Sequence, residues 1–358
     1  MSDSTKKVLV FCLSGLGDTI LASPALAALS SMPQRFHLTL LTMFPSVTEY
    51  LVDQQFTKDV RYFDFLKNSK PAILAYLWKL RREKFDVSII PYAMNRLEYN
   101  LTSYFVGAKY RIGFRYQRQS RHNLPGLNPC VIEENPNFHT VEENLRWASI
   151  LSGQEAHSLS DELRYAISPE TIDSSHQFLK SHGLDQTPCL IGFHAGCNSL
   201  KNQQRRCWPA PRFAELINRL TEALPSARSI LFEGPQDEAI TREIQKHAKG
   251  IVLAKSLPMR VVGALIRRCK LFVSNDSGLM HVAAACKIPC VVIFGPTNPA
   301  WVRPWKSPSI LVSRHLPCSP CFYYSSHPLS CPAGLDYACV NELPVEDVKA
   351  AALQLLKI

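Results

Sequence analysis

The chain has 358 residues and a net charge of +10, and its composition, 46% hydrophobic and 20% charged, is that of an ordinary globular protein. This composition excludes a disordered, collagenous or coiled-coil chain, and the length predicts two domains. No apolar run reaches the roughly 18 residues that a membrane-spanning helix needs, and the polar start of the chain is unlike a signal peptide. We therefore expect a cytoplasmic protein with an anionic partner, such as a phosphate, a nucleic acid or an acidic membrane surface.

The first half of the chain alternates short apolar runs with helical patterns. Strands alternating with helices of this length predict a parallel, doubly wound sheet. A polar stretch at 153–187 follows, which we interpret as the region between domains. The predicted strands are 7–12, 37–42, 60–65 and 87–91, and the predicted helices are 19–31, 46–55 and 72–83.

The second half repeats this scheme, so the sequence predicts an α/β protein with two Rossmann-like domains facing a central cleft, the default ligand site. The predicted domains are 1–172 and 173–342, and a C-terminal helix within 343–358 is expected to pack back on the N-terminal domain. The predicted strands here are 189–194, 230–233, 251–252, 271–274 and 290–294, and the predicted helices are 212–224, 259–268 and 279–286.

Residues 14–18 (SGLGD) form a small-residue turn between the first strand and the first helix. Two glycines there could hold a dinucleotide, but Ile20 stands where the third glycine of a dinucleotide fingerprint belongs. Asp18, at the start of the helix, is a candidate general base for a hydroxyl nucleophile. The alternative is an aspartate that only caps the helix.

The stretch 99–132 has no acidic residue and carries several cations, including Arg111 and Arg115. Tyrosines lie nearby, but they do not form the aromatic ladder of a nucleic-acid site, and we expect no nucleic-acid partner. The stretch is either a site for an anionic acceptor or a solvated loop.

Two loops of the second half favour a bound phosphate. His194-Ala195-Gly196 ends a strand and is followed by cations that include Arg206, a combination that suits a diphosphate or is simply a solvated basic loop. In the second loop, Ser277 and Gly278 occupy the first turn of a helix, where free N–H groups and the helix dipole favour an anion. Asp276 is better placed to hold hydroxyls, and the alternative is an ordinary helix cap.

Four late cysteines, Cys318, Cys321, Cys331 and Cys339, begin with a C-x-x-C pair. Such a pair followed by two further cysteines is metal-like, although the spacing is irregular for a zinc finger. A structural zinc or iron and metal-free packing both stay open, and we expect no catalytic role.

These motifs together resemble glycosyltransferase family 9, the ADP-heptose:lipopolysaccharide heptosyltransferases. The resemblance spans nearly the whole chain. It rests on residues 14–18, Gly113-Phe114, 194–196 with 206–209 (RCWP), 275–285 (NDSGLMHVAAA) and 294–297 (FGPT).

The resemblance implies a GT-B fold, with an N-terminal acceptor domain and a C-terminal nucleotide-sugar domain, and an inverting transfer that needs no catalytic cofactor. It makes Asp18 the general base and Arg206, where the family usually has lysine, the cation that stabilises the leaving ADP. Gly196 and Cys197 depart from the hydroxyl residues usual in the first phosphate loop. The implied donor-binding residues are His194, Ala195, Gly196, Gln236, Asp276, Ser277, Gly278 and His281, and the implied acceptor-binding residues are Gly15, Gly17, Arg96, Arg111 and Arg115.

The expected activity is transfer of a heptose from ADP-heptose to an anionic glycan of the lipopolysaccharide inner core, with peripheral contact at the inner face of an anionic membrane. Another nucleotide-sugar, a protein acceptor, or a non-catalytic relative that binds a nucleotide or glycan are the alternatives. A nucleotide-binding oxidoreductase is disfavoured, because the third glycine is missing and no ribose-binding acid follows the second strand.

Overall fold

The computed structural model of the protein describes residues 5–118, 120–197, 200–324 and 327–357, which divide into two compact units. The first unit extends to Arg164 and also includes Tyr324. The Asn95 amide donates to the Tyr324 carbonyl (2.9 Å), and the Tyr92 and Tyr324 rings meet edge to face. The second unit takes Tyr165–Tyr323 and the residues from His327 onward.

A parallel sheet of six described strands forms the centre of the first unit, in the order β3-β2-β1-β4-β5-β6. The strands are β1 (Lys6–Cys12), β2 (Phe36–Thr42), β3 (Asp59–Tyr62), β4 (Val87–Ile89), β5 (Tyr110–Arg115) and β6 (Cys130–Glu133). The helices are α1 (Leu16–Leu21), α2 (Ser23–Ser30), α3 (Pro45–Gln54), α4 (Lys70–Arg82), α5 (Leu97–Val106), α6 (Ser120–Asn123) and α7 (Thr140–Ser152), with 3₁₀ turns at Pro125–Leu127 and Ala156–Ser158.

β1 is central because its residues 8–12 form an apolar run that can be buried on both faces. Val8, Leu9 and Val10 are fully buried. The chain first adds strands on one side of β1 and then on the other, so the carboxyl ends of β1 and β4 form the switch point at which ligands of such sheets bind.

The second unit has the same plan, with described strands in the order β12-β11-β10-β7-β8-β9 and a switch point between β7 and β10. The strands are β7 (Cys189–His194), β8 (Ala227–Glu233), β9 (Ile251–Lys255), β10 (Leu271–Asn275), β11 (Cys290–Ile293) and β12 (Ser309–Val312). The helices are α8 (Pro169–Ser181), α9 (Ala210–Ala223), α10 (Glu238–His247), α11 (Met259–Arg268), α12 (Gly278–Ala285), α13 (Pro299–Val302), α14 (Ala338–Asn341) and α15 (Val345–Leu356), with a 3₁₀ segment at Leu200–Arg206.

The boundary between the units differs from the predicted one. It falls after Arg164 rather than after residue 172, so that α8 lies wholly in the second unit. Tyr165 fixes this junction: its hydroxyl donates to the Met259 carbonyl (2.8 Å), and its ring lies where a side chain at Gly263 would stand.

The C-terminal helix also differs from the prediction. We expected it to pack back on the N-terminal unit, but α15 lies in the second unit, against α9 and the strands β10, β11 and β12. Val348 and Ala352 are fully buried there, in the same core as Trp208. The amphipathic pattern correctly predicted a helix with one buried face, but a pattern of this kind does not identify the surface that covers it.

Within the described residues, no helix combines the length and the apolarity that crossing a bilayer requires.

Candidate active site

The carboxyl ends of β7 and β10 bring together most of the predicted donor-binding residues. These neighbouring parallel strands pair Ser274 with His194, so the loops that follow them begin side by side. The residues placed at this corner of the second unit are His194, Ala195, Gly196, Arg206, Asp276, Ser277, Gly278 and His281.

Asn275 joins the loops of this corner. Its amide nitrogen donates to the Ala195 carbonyl (2.7 Å), and its Oδ1 accepts from the backbone N–H of Trp208 (3.0 Å). Asn275 and Trp208 are both fully buried. One side chain therefore fixes the loop after β7 and the segment after Arg206 relative to β10, a role that the sequence analysis did not assign.

Arg206 and Asp276 form a largely buried ion pair. Arg206 Nη1 lies 3.0 Å from Asp276 Oδ2, and the two side chains are 17% and 9% exposed. Burial disfavours the charge of the guanidinium, but the Asp276 carboxylate and the Cys197 and Cys207 thiols together outweigh this effect and raise the pKa of Arg206. The cation predicted to face a leaving diphosphate is therefore present, held in place by the aspartate predicted to bind the sugar.

Ser277 is the N-cap residue just before α12, but its side chain does not cap the helix. Its Oγ instead lies 2.9 Å from His194 Nδ1, and both residues are buried. The first-turn N–H groups of α12, including that of half-buried Gly278, are thus left to an anion.

Asp237 completes this group and was not predicted, whereas the donor-binding role predicted for its neighbour Gln236 stays a prediction. Gln236 is exposed, whereas Asp237 is 6% exposed, with Oδ2 3.1 Å from His194 Nε2 and accepting from the Gly234 N–H (2.8 Å). A Cβ at position 196 would come within 1.9 Å of Asp237 Oδ1, and one at Gly234 within 2.6 Å of Oδ2. The Asp237 carboxylate therefore occupies the space that the missing side chains of Gly196 and Gly234 leave. A buried acid between two glycine-bearing loops is visible only after those loops meet in space.

Several buried polar atoms near this corner have no hydrogen-bond partner among the described residues. They include Arg206 Nε, Ser274 Oγ, His281 Nδ1 and Thr297 Oγ1. Buried polar groups in proteins are normally hydrogen bonded, so this concentration is typical of a site whose partners come from a polar ligand. Burial, and then the Arg206 charge, lower the pKa of His281 to about 3, which keeps its ring neutral.

Asp18 lies at the switch point of the first unit, in the first turn of α1 and half-buried. Burial raises the pKa of Tyr99. The Arg96 charge opposes this shift and the Asp18 carboxylate adds to it, since both groups lie close to the Tyr99 ring. The Arg96 guanidinium stands 5.8 Å from the centre of the Tyr99 ring. Gly15 precedes α1 with open space where a side chain would stand, and Gly17 is buried.

The other two arginines predicted for the acceptor are engaged within the first unit. Arg111 lies near the amino end of β5, away from the switch point, and its guanidinium donates to the Leu127 and Ala108 carbonyls. The predicted role of Arg111 in acceptor binding stays a prediction. Arg115 is at the carboxyl end of β5, where it pairs with Glu133.

The four late cysteines line one small cavity of the second unit. Burial raises the pKa of Cys339 to about 11, and the charges of the other three cysteines add to the shift, so the four thiols are near neighbours. Within the part of the chain that the structure describes, no group of three or more such side chains is arranged to hold a metal ion. The structural metal stays a prediction.

Comparison with known proteins places the chain in a family. The family model of glycosyltransferase family 9 (heptosyltransferase) matches residues 73–329. The chain is 26% identical over 236 residues to lipopolysaccharide heptosyltransferase 2 of Escherichia coli (strain K12). That match covers 63% of this chain and 64% of the relative, so the chain spans somewhat less than two thirds of the relative's length.

Two solved structures from E. coli share the fold. The ADP-heptose lipopolysaccharide heptosyltransferase II is matched with a TM-score of 0.69 and 20% identity, over 97% of this chain and 99% of that one. The heptosyltransferase WaaC with ADP is matched with a TM-score of 0.63 and 17% identity, over 86% of this chain and 93% of that one. The predicted GT-B class, with two Rossmann-like units, is confirmed. Because the family model matches well over half of the sequence, the chain belongs to glycosyltransferase family 9, the family of the heptosyltransferases.

Proposed function

We propose that the protein is an inverting heptosyltransferase that uses ADP-heptose as donor and an anionic glycan of the lipopolysaccharide inner core as acceptor. The observation that carries the proposal is the corner at β7 and β10, where Arg206, Ser277 and the start of α12 offer donors to a diphosphate. The relative solved with ADP supports adenine as the base of the nucleotide.

The donor half of the reaction belongs to the second unit. The diphosphate would accept hydrogen bonds from the Ser277 hydroxyl and from the first N–H groups of α12. Departure of ADP leaves negative charge on a phosphate oxygen, which Arg206 would stabilise as the charge develops. Asp276 keeps Arg206 ionised and oriented, and His281 supports the loop from within α12.

The acceptor half uses Asp18 as general base. An acceptor hydroxyl oxygen attacks the anomeric carbon of the heptose and forms the new glycosidic bond, while the bond from that carbon to the ADP oxygen breaks. The hydroxyl proton passes to the Asp18 carboxylate. One displacement inverts the anomeric centre, and no cofactor is needed, because an aspartate supplies the base and Arg206 supplies the charge.

The acceptor surface follows from the placement of the arginines. Arg96, beside Tyr99 and Asp18, is the cation that we propose to meet a carboxylate or phosphate of the acceptor. Arg115 is exposed at the carboxyl end of β5. It would supply a second cation to the acceptor when its ion pair with Glu133 breaks. The net charge of +10 favours peripheral contact with an anionic membrane surface, where such an acceptor is anchored.

Replacing Asp18 by asparagine tests the base. We expect D18N to lower kcat by a factor of about 10² to 10⁴, the usual contribution of a general base, and to leave the dissociation constant for ADP unchanged. The measurement is ADP release from ADP-heptose in the presence of a core acceptor that lacks heptose.

Glu155→Gln, an exposed acid elsewhere in the first unit, is the matched control and should keep the wild-type rate. Wild-type turnover by D18N would remove Asp18 as the base. Turnover of the wild-type enzyme with another nucleotide-sugar, and none with ADP-heptose, would contradict the proposal that ADP-heptose is the donor.

A further inference from the structure

Hydrogen-bond chemistry limits how Ser277, His194 and Asp237 can act together. A carboxylate only accepts hydrogen bonds, so the Nε2 that faces Asp237 carries a hydrogen. His194 Nδ1 faces the Ser277 hydroxyl at 2.9 Å. If Nδ1 is unprotonated, it accepts the hydroxyl hydrogen, and Ser277 then has only lone pairs to offer a ligand.

A diphosphate oxygen also only accepts hydrogen bonds. Ser277 can donate to it and still keep its hydrogen bond with His194 only when its own hydrogen is turned away from the ring and Nδ1 carries a hydrogen. The ring is in that case an imidazolium, hydrogen bonded to Asp237 on one side and to Ser277 on the other. Charge-assisted bonds of this kind are roughly twice as strong as neutral ones.

Asp237 is built to remain an anion beside this ring. Burial opposes its ionisation, but the His194 hydrogen bond and charge, together with the Gly234 N–H, outweigh burial and lower the pKa of Asp237. Its position at the N-cap of α10 adds the helix dipole. The Asp237 side chain makes no capping bond, so its oxygens stay available to His194.

The other charged and titratable groups around this corner are already paired or belong to the loops. Arg206 pairs with Asp276, and Glu233 at the end of β8 lies 3.2 Å from Lys255. The thiols of Cys197 and Cys207 lie beside Arg206, and Cys207 also lies near Asp237. Among the described residues, Asp237 is the charge in direct hydrogen-bond contact with His194.

We propose that Asp237 is a positioning residue for the donor: through His194 it turns the Ser277 hydroxyl toward the diphosphate, so that the nucleotide-sugar binds together with one proton taken up by the imidazole. The proposal rests on the proposed function, because it needs a diphosphate at Ser277. Beyond the proposed function, it assigns a role to Asp237 and adds the uptake of one proton to donor binding.

The test is isothermal titration of ADP-heptose, without acceptor, into the protein at about pH 8. The titration is repeated in Tris and in HEPES, whose heats of ionisation differ, because the difference between the observed heats counts the protons taken up. We expect uptake of close to one proton for the wild type and near zero for D237N. The affinity of D237N should be about 10-fold weaker, the usual worth of a charged hydrogen bond.

Glu238→Gln is the matched control, since this neighbouring carboxylate is exposed on the same helix and pairs with Arg242 and Lys255. It should keep the wild-type proton uptake and affinity. Ser277→Ala provides a second variant should D237N fail to fold, and it should also lose the proton uptake.

The possible outcomes separate the two proposals. Binding of ADP-heptose by the wild type without proton uptake, or equal uptake by the wild type and D237N, would overturn the role of Asp237 and leave the proposed function standing. No binding of ADP-heptose by the folded wild type would instead overturn the proposed function.

Discussion

His281 is a titratable side chain that folding forces into one protonation state. Burial and the Arg206 charge lower its pKa from 6.5 to about 3, so between these values the unfolded chain binds a proton that the folded protein does not. The stability contributed by neutral His281 is present above the unfolded pKa. It is lost as the pH falls, by up to about 1.4 kcal/mol per pH unit.

We therefore expect His281→Gln to flatten the dependence of stability on pH. Between about pH 7 and pH 5 the free energy of unfolding of the variant should fall by about 2 kcal/mol less than that of the wild type. Urea unfolding at the two pH values measures this difference. His176→Gln, at an exposed position on α8, is the control and should behave as the wild type. An equal fall for His281→Gln and the wild type would contradict the buried neutral ring.

At the scale of elements, α15 shows how a helix at the end of the chain closes a core. Its buried face covers β10, β11 and β12, and Trp208 donates from Nε1 to the Leu343 carbonyl (3.0 Å) just before the helix. The same tryptophan follows Arg206 in sequence. Packing of α15 therefore supports the segment that carries the site cation.

Removing two methyl groups from this face tests that packing. Val348→Ala should lower the free energy of unfolding by about 2 kcal/mol, since it leaves a cavity in a fully buried layer. Gln354→Ala, at an exposed position of the same helix, should change it by less than about 0.5 kcal/mol. Urea unfolding followed by fluorescence is the measurement, and equal effects of the two substitutions would contradict the observed docking of α15.

At the scale of the whole molecule, the two units have separate sheets and separate cores. A donor nucleotide that binds the second unit should stabilise that unit by about 2.7 kcal/mol at 100 times its dissociation constant. Hydrogen exchange should then show added protection in β7 and β10 with ADP, and little change in β1 and β2. UDP, GDP, CMP and NAD at the same concentration are the comparison. Greater protection by one of these than by ADP would contradict the choice of nucleotide.

Much of this architecture was predictable, for a physical reason. The central strands β1, β7 and β10 each contain a short apolar run, and burial on both faces leaves a strong signal in the sequence. β5 and β6 were missed within the basic stretch, because arginines and a glutamate interrupt their short apolar runs. The single helix predicted at 19–31 is two, α1 and α2, which meet at Ala22.

The candidate site was predictable to the extent that its residues follow strands directly. His194, Asp276 and Ser277 stand in short motifs next to β7 and β10, so their proximity follows from parallel strand order. Asp237 was missed because its burial depends on Gly196 and Gly234, which approach one another only in the folded unit. The position of Arg111 near the amino end of β5 was not predictable, because a count of charges does not say at which end of a strand a residue lies.

The assignment of Tyr324 to the first unit has a consequence for recombination between relatives. A chimaera joined between Arg164 and Tyr165 takes every described residue of the first unit from one parent except Tyr324, which arrives with the other. That residue supplies the carbonyl that accepts from Asn95 and the ring beside Tyr92. Exchange of the second unit therefore carries along one described residue of the first, and a chimaera that keeps the parent's own residue at 324 retains both of these contacts.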